Sequence, residues 1–198
     1  WIDENTLNWN MLSLNPNAID LLKEHYDNID WENLCLNPNA IKILKKRIKY
    51  EQTLYDSGEL YTLNEDKIDW VSLSKNPNAI KLLKDRIKYE NLLDDDDLDD
   101  NMVDWQSLSK NPNAIELLKR NKNEIRWNLL STNPNAIDLL KQRIEYENNL
   151  TYLDKIDWIE LSANPNAIEL LTNNQDKINW TTLCRNPNAI DLLENNPD

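Results

Sequence analysis

The chain has 198 residues, 40% of them apolar and 29% charged, with a formal net charge of −13. No apolar run approaches the ~20 residues of a membrane span, and the acidic balance speaks against a reader of nucleic acid, since phosphates are held by a net basic surface through counterion release. A single glycine leaves little room for tight hairpins, whose turns need positive φ, and favours helices.

Along the chain one unit recurs seven times, centred on Trp9, Trp31, Trp70, Trp105, Trp127, Trp158 and Trp180, each followed seven residues later by Pro16, Pro38, Pro77, Pro112, Pro134, Pro165 or Pro187. Such self-similarity marks units that bury their apolar faces only by stacking on neighbours. Asn8, Asp30, Asp69, Asp104, Asp157 and Asn179 precede the Trp residues as N-caps, with Arg126 the exception. Trp and the Leu three residues later share one face of a short first helix. That helix ends at Asn-Pro, because the residue before proline is driven into extended backbone. Proline then suits the first turn of a second helix, with the same Asn available to cap it. The second helix carries Ile at three residues and aliphatics at five and six residues beyond the proline, as in Ile19, Leu21 and Leu22. Alone it is well below the ~12–15 residues at which isolated helices become marginal.

Successive Trp residues are 22, 39, 35, 22, 31 and 22 residues apart, so the minimal unit is 22. The longer gaps begin alike, with Arg47-Ile48-Lys49-Tyr50-Glu51, Arg86-Ile87-Lys88-Tyr89-Glu90 and Arg143-Ile144-Glu145-Tyr146-Glu147. The series Ile43, Arg47, Tyr50, Leu54 recurs as Leu82, Arg86, Tyr89, Leu93 and as Leu139, Arg143, Tyr146, Leu150, which keeps helical spacing. The second helices of repeats two, three and five are therefore expected to run about three turns longer at ~3.6 residues per turn. Loops follow, one with Ser57-Gly58 and one with the acidic run Asp94 to Asp97, Asp99 and Asp100.

The whole of 1–198 thus reads as a single all-α repeat domain, an α-solenoid of seven short helix-turn-helix units. The rival is a leucine-rich-repeat-like solenoid, which would need an apolar residue five positions after each Trp. That site holds Leu14, Leu36, Lys75, Lys110, Thr132, Ala163 and Arg185, a poor strand position.

The string Lys-Ile-Asp-Trp-x-x-Leu-Ser-x-Asn-Pro-Asn-Ala-Ile-x-Leu-Leu, at 67–83, 155–171 and in varied form at 177–193, resembles the tandem Trp/Asn-Pro-Asn-Ala repeats of giant DNA viruses, an uncharacterised family. The resemblance covers nearly the whole chain and brings no assigned activity or site residue. It implies the cytoplasm of an infected host cell, or the virion, as the protein's place.

No chemistry-bearing constellation emerges. His25 is the sole histidine and has neither a nucleophile nor an orienting acid in the repeat grammar. No phosphate loop, Cys-x-x-Cys or zinc pattern occurs, so no catalytic residue, metal or cofactor is expected. The run Asp94–Asp100 lacks the glycine and terminal Glu of a calcium loop. Cys35 and Cys184 fall where Ser13, Ser74, Ser109, Ser131 and Ser162 stand elsewhere, which reads as a demand for small size and two buried free thiols. Lys42, Lys45, Lys46, Lys49, Lys81, Lys84 and Lys88 are expected to pair with Glu51, Glu90 and the acidic loop.

The seven register Trp residues read as structural core. Tyr50, Tyr89 and Tyr146, with Arg47, Arg86 and Arg143, recur on the extensions and are the candidate docking edge for a protein partner, because Tyr and Arg dominate binding hot spots. The expected function is a non-enzymatic scaffold for protein–protein interaction, without nucleic-acid or membrane partners. The alternative is a structural component of a virion or other assembly.

Overall fold

The structure, a computed structural model, describes residues 6–58, 68–92, 102–146 and 155–196. The chain divides into two compact units, Trp1–Asp104 and Trp105–Asp198. The first holds α1 (Trp9–Leu14), α2 (Ile19–Glu24), α3 (Trp31–Leu36), α4 (Ile41–Asp56), α5 (Trp70–Lys75) and α6 (Ile80–Glu90). The second holds α7 (Trp105–Lys110), α8 (Ile115–Arg120), α9 (Trp127–Leu130), α10 (Ile137–Ile144), α11 (Trp158–Ala163), α12 (Ile168–Thr172), α13 (Trp180–Leu183) and α14 (Ile190–Glu194). Every odd-numbered helix opens on a register Trp and every even-numbered one on the Ile of its repeat. No strand occurs among the described residues, which removes the leucine-rich alternative.

First helices stack on first helices: α1 on α3 and α3 on α5 in one unit, α7 on α9 and α11 on α13 in the other. Expected N-caps form at five of the first helices. Asn8 accepts from the Met11 N–H, Asp30 from Asn33, Asp69 from Val71 and Ser72, Asp157 from Ile159 and Glu160, and Asn179 from Thr182. Arg126 supplies no such bond.

The Asn-Pro junction differs from its expected form. Asn15 is extended (ψ 116°) as its proline requires, but Pro16 and Asn17 lie in a turn of their own, closed by the Ala18 N–H on the Asn15 carbonyl at 3.0 Å. The second helix begins only at Ile19, and Ala18 at its N-cap gives no side-chain bond. The Asn15 side-chain oxygen accepts instead from the Asn17 N–H at 2.9 Å, an Asx turn. The same turn recurs at Asn37, Asn76, Asn111, Asn133, Asn164 and Asn186. Asparagine shapes the turn and does not cap the helix.

The core lies between the stacked pairs. Leu34, Leu73, Leu108, Leu130, Leu161 and Leu183 from first helices, and Leu22, Leu44, Leu83, Leu118, Leu140 and Leu171 from second helices, are fully buried. Each such burial stabilises by roughly 1.5–3 kcal/mol, which holds helices too short to persist alone. The alanines of the turns, Ala40 through Ala189, are buried as well and admit close approach.

Second-helix length is graded. α4 has 16 residues, α6 has 11 and α10 has 8, against five or six elsewhere. The three extra turns expected of all three are reached by α4. Gly58, at φ 75°, follows the Ser57 C-cap, the left-handed exit that glycine makes without strain. Leu93, Leu150 and the Asp94–Asp100 run lie outside the described residues. Repeats one, four and six close their second helices with 3₁₀ turns, Tyr26–Asn28, Lys122–Glu124 and Gln175–Lys177.

Candidate functional site

Within each compact unit, two ladders of asparagine side chains bind a repeat to the one before it. The first Asn of the tetrapeptide donates both amide hydrogens backward: Asn37 to the carbonyls of Ser13 and Asn15 at 2.9 Å each, Asn76 to Cys35 and Asn37 at 2.8 and 2.9 Å. In the second unit Asn133 reaches Ser109 and Asn111, Asn164 reaches Ser131 and Asn133, and Asn186 reaches Ser162 and Asn164. These amides are buried. The second Asn builds an exposed ladder, Asn39 to the Pro16 carbonyl and Asn78 to Pro38, then Asn135 to Pro112, Asn166 to Pro134 and Asn188 to Pro165.

The Ser or Cys site is a hydrogen-bond relay, and size is only part of it. The Ser74 hydroxyl donates to the Trp70 carbonyl at 2.7 Å and accepts the Asp104 N–H at 3.0 Å. Ser13, Ser109, Ser131 and Ser162 accept likewise from Asp30, Arg126, Asp157 and Asn179. Cys35 does the same with the backbone of Asp69, and burial pushes its thiol up to about 12. Cys184 corrects the expectation of two buried thiols: it is exposed, and both cysteines are free.

Five repeats lay a side chain of their own on their Trp. Arg47 stands 4.4 Å above the Trp31 ring, Arg86 5.0 Å above Trp70, Arg143 4.6 Å above Trp127 and Lys177 4.8 Å above Trp158. His25, 5.1 Å from Trp9, does this in repeat one. Trp31, Trp70 and Trp127 are buried, whereas Trp9, Trp105 and Trp158 are half-buried and Trp180 is 37% exposed. The register tryptophans are therefore unequal as core, and Trp180 least of all fits that place.

The extensions have a structural duty. Arg47 is 6% exposed and bonds Glu51 at 2.9 Å, and the Glu51 carboxylate also takes the Ile68 N–H. Arg86 bonds Glu90 at 2.7 Å, and Glu90 takes the Val103 N–H at 3.1 Å. In the short repeats the equivalent N–H groups of Ile29, Ile125 and Ile178 close on 3₁₀ turns instead. A long second helix and a 3₁₀ turn thus solve the same entry problem. Glu147, the counterpart in repeat five, lies outside the described residues.

The tyrosines divide. Tyr50 and Tyr146 are 51% and 74% exposed. Tyr89 is half-buried and hydrogen-bonds Tyr55 of α4, with burial raising its pKa. Burial likewise raises that of Tyr26, which lies edge-on to Trp31 and meets Arg47. An open cleft of about 460 Å³ beside Tyr26, Trp31 and Arg47 is lined by neither histidine nor cysteine. Among the described residues no three His, Cys, Asp or Glu side chains gather as metal ligands, and no helix is long and apolar enough to cross a membrane.

The lysines do not pair with Glu51 and Glu90 as expected, and the acidic loop, their other expected partner, lies outside the described residues. Glu51 and Glu90 are engaged by Arg47 and Arg86, leaving Lys42, Lys45, Lys46, Lys49, Lys81 and Lys84 exposed without ion pairs among the described residues, while Lys88 lies 3.8 Å from Asp85. Comparison with protein-family models, curated proteins and solved structures finds no match to this chain.

Proposed function

We propose that the chain is a non-enzymatic repeat scaffold that binds protein through its second helices, with Tyr50 in the first unit and Tyr146 in the second as exposed anchors. One observation carries this reading. The recurring Asn, Ser or Cys, Leu, Ala, Arg and Glu side chains are engaged in holding repeats together, whereas the recurring tyrosines at 50 and 146 stand in solvent with no such duty. Large, rigid and half-polar, tyrosine gives contact area at small entropic cost and is enriched at hot spots. In repeat three the Tyr55–Tyr89 pair takes the corresponding place. The resemblance to repeats of giant DNA viruses would put such a scaffold in the infected cell's cytoplasm or in the virion.

The test is affinity capture from infected cells with the parent chain and a Tyr50→Ser/Tyr146→Ser variant, with denaturant melts of both. Loss of captured protein at unchanged stability supports the anchors. Equal capture removes the tyrosines from the site, and no capture by the parent, or turnover on hydrolase and transferase panels, overturns the scaffold.

A further inference from the structure

We infer that the lysine face of α4 and α6 is the docking site for a short acidic segment of a partner protein. The inference rests on the scaffold reading and gives its partner a chemistry. Lys42, Lys45, Lys46 and Lys49 follow the spacing of one helix face, so α4 carries them as a single row. Lys81, Lys84 and Lys88 repeat that row on α6, with Asp85 at the place of Lys46. The rows lie on the second helices of neighbouring repeats. The Asn78 amide on the Pro38 carbonyl ties the turns that open α4 and α6 at 2.9 Å, and the Tyr55–Tyr89 bond ties the helices further along. Seven residues of helix span about 10 Å. All seven lysines are exposed on these two neighbouring helices.

The patch is exceptional within an acidic chain. At the position of Lys42 and Lys81 the other repeats carry Asp20, Glu116, Asp138, Glu169 and Asp191. Asp85 stands inside the row and lies 3.8 Å from Lys88, while Glu51 and Glu90 are held by arginines and backbone N–H groups. The six lysines other than Lys88 make no ion pair among the described residues; like charges on two neighbouring rows repel, and an acidic ligand relieves that repulsion while gaining attraction of its own. The patch extent favours a protein segment over a nucleic acid. A polynucleotide longer than the patch would meet the acidic groups of repeat one, Asp20, Glu24 and Asp27, and the chain's net charge of −13. Three or four carboxylates on one extended segment fit between the rows. Lysine, a strongly hydrated point charge, suits such a pliable acidic ligand better than bidentate reading of phosphate.

Fluorescence anisotropy of labelled octaglutamate, titrated with the intact chain at about 0.15 M salt, tests this beside an oligothymidylate of about twenty nucleotides. The comparison variant is Lys42→Gln/Lys45→Gln/Lys81→Gln/Lys84→Gln, and the charge-matched control is Lys110→Gln/Lys119→Gln/Lys122→Gln/Lys141→Gln. The expected result is peptide binding that weakens at least about tenfold in the first variant, or roughly 1.4 kcal/mol, and holds in the control. No peptide binding, equal loss in the control, or preference for the oligonucleotide overturns the inference. Sedimentation of the parent chain closes the remaining route: self-association abolished by the first variant would assign the face to a second copy. Affinity capture with the same variant separates the two readings. Partner capture by the parent without peptide binding leaves the scaffold and removes the acidic ligand, whereas peptide binding without any captured protein does the reverse.

Discussion

The Glu51 carboxylate receives the backbone N–H of Ile68 at 3.0 Å, seventeen residues further along the chain. One side chain therefore stabilises its own helix through Arg47 and fixes where the next repeat enters. Glu51→Ala is expected to destabilise the first unit by about 1–3 kcal/mol, because it leaves a buried guanidinium and a buried N–H without their acceptor. Glu51→Gln, which keeps one oxygen, should lose less. Equal loss for both in denaturant melts would show that charge alone matters there.

The buried ladder yields a sharper contrast. Asn133→Ala strands the Ser109 and Asn111 carbonyls and is expected to cost about 2–4 kcal/mol, at roughly 1–2 for each buried bond lost. Asn133→Asp should cost more, since it faces two carbonyl oxygens with a carboxylate. Asn135→Ala, on the exposed ladder, should cost under about 1 kcal/mol. Equal effects at 133 and 135 would mean that water replaces the buried amide.

Replacing Trp127 by Ala is expected to remove about 3–5 kcal/mol, the cost of truncating a buried aromatic. Trp180→Ala, at 37% exposure, should cost well under half as much. A similar loss at both positions would contradict their unequal burial.

The two thiols should separate chemically. Cys184, exposed and free, reacts with an aromatic disulfide reagent in the folded protein, while Cys35, pushed up to about 12 by burial, reacts only on unfolding. Because the folded thiol titrates above the unfolded one, its contribution to stability is full below the unfolded value near 9 and is lost as pH climbs toward 12. Ser109→Cys should accordingly be tolerated better than Ser109→Ala, which leaves the Arg126 N–H unpaired. Two thiols labelled in the native protein would refute the assignment.

The Trp and Leu periodicity made the helix pairs legible before any coordinates, because a stripe of apolar residues at helical spacing has one physical use. The Asn-Pro junction was legible in its extended residue and not in its purpose. A lone Asn-Pro-Asn is satisfied as a local cap or turn, and nothing in it announces donation to carbonyls 22 to 41 residues back. Those acceptors are backbone atoms, which every residue carries and no pattern marks. The Ser/Cys alternation resembled a size rule because the shared lone pair on oxygen and sulfur is invisible to volume. Arg47 read as part of a docking edge and Glu51 as a partner of the lysines, and the burial of Arg47 on Trp31 with the acceptor role of Glu51 at Ile68 appears only when the next repeat is in place. The lysines were misassigned to Glu51 and Glu90 for the same reason, since the arginines of their own helices hold those carboxylates.

Because the asparagine ladders end on main-chain carbonyls, a repeat asks almost nothing of its predecessor's side chains beyond a small residue and a leucine. Neighbours are interchangeable as long as their backbones follow the same path. A gene encoding such a unit can lengthen by copying 22 codons in frame, and each new copy finds its docking partners already present. Insertions between units are also absorbed, as the 39-residue spacing from Trp31 to Trp70 shows, since Asn76 still reaches Cys35 and Asn37 across it. The architecture is extensible by duplication, and its outward positions are free to diverge copy by copy while the seam between copies remains the same.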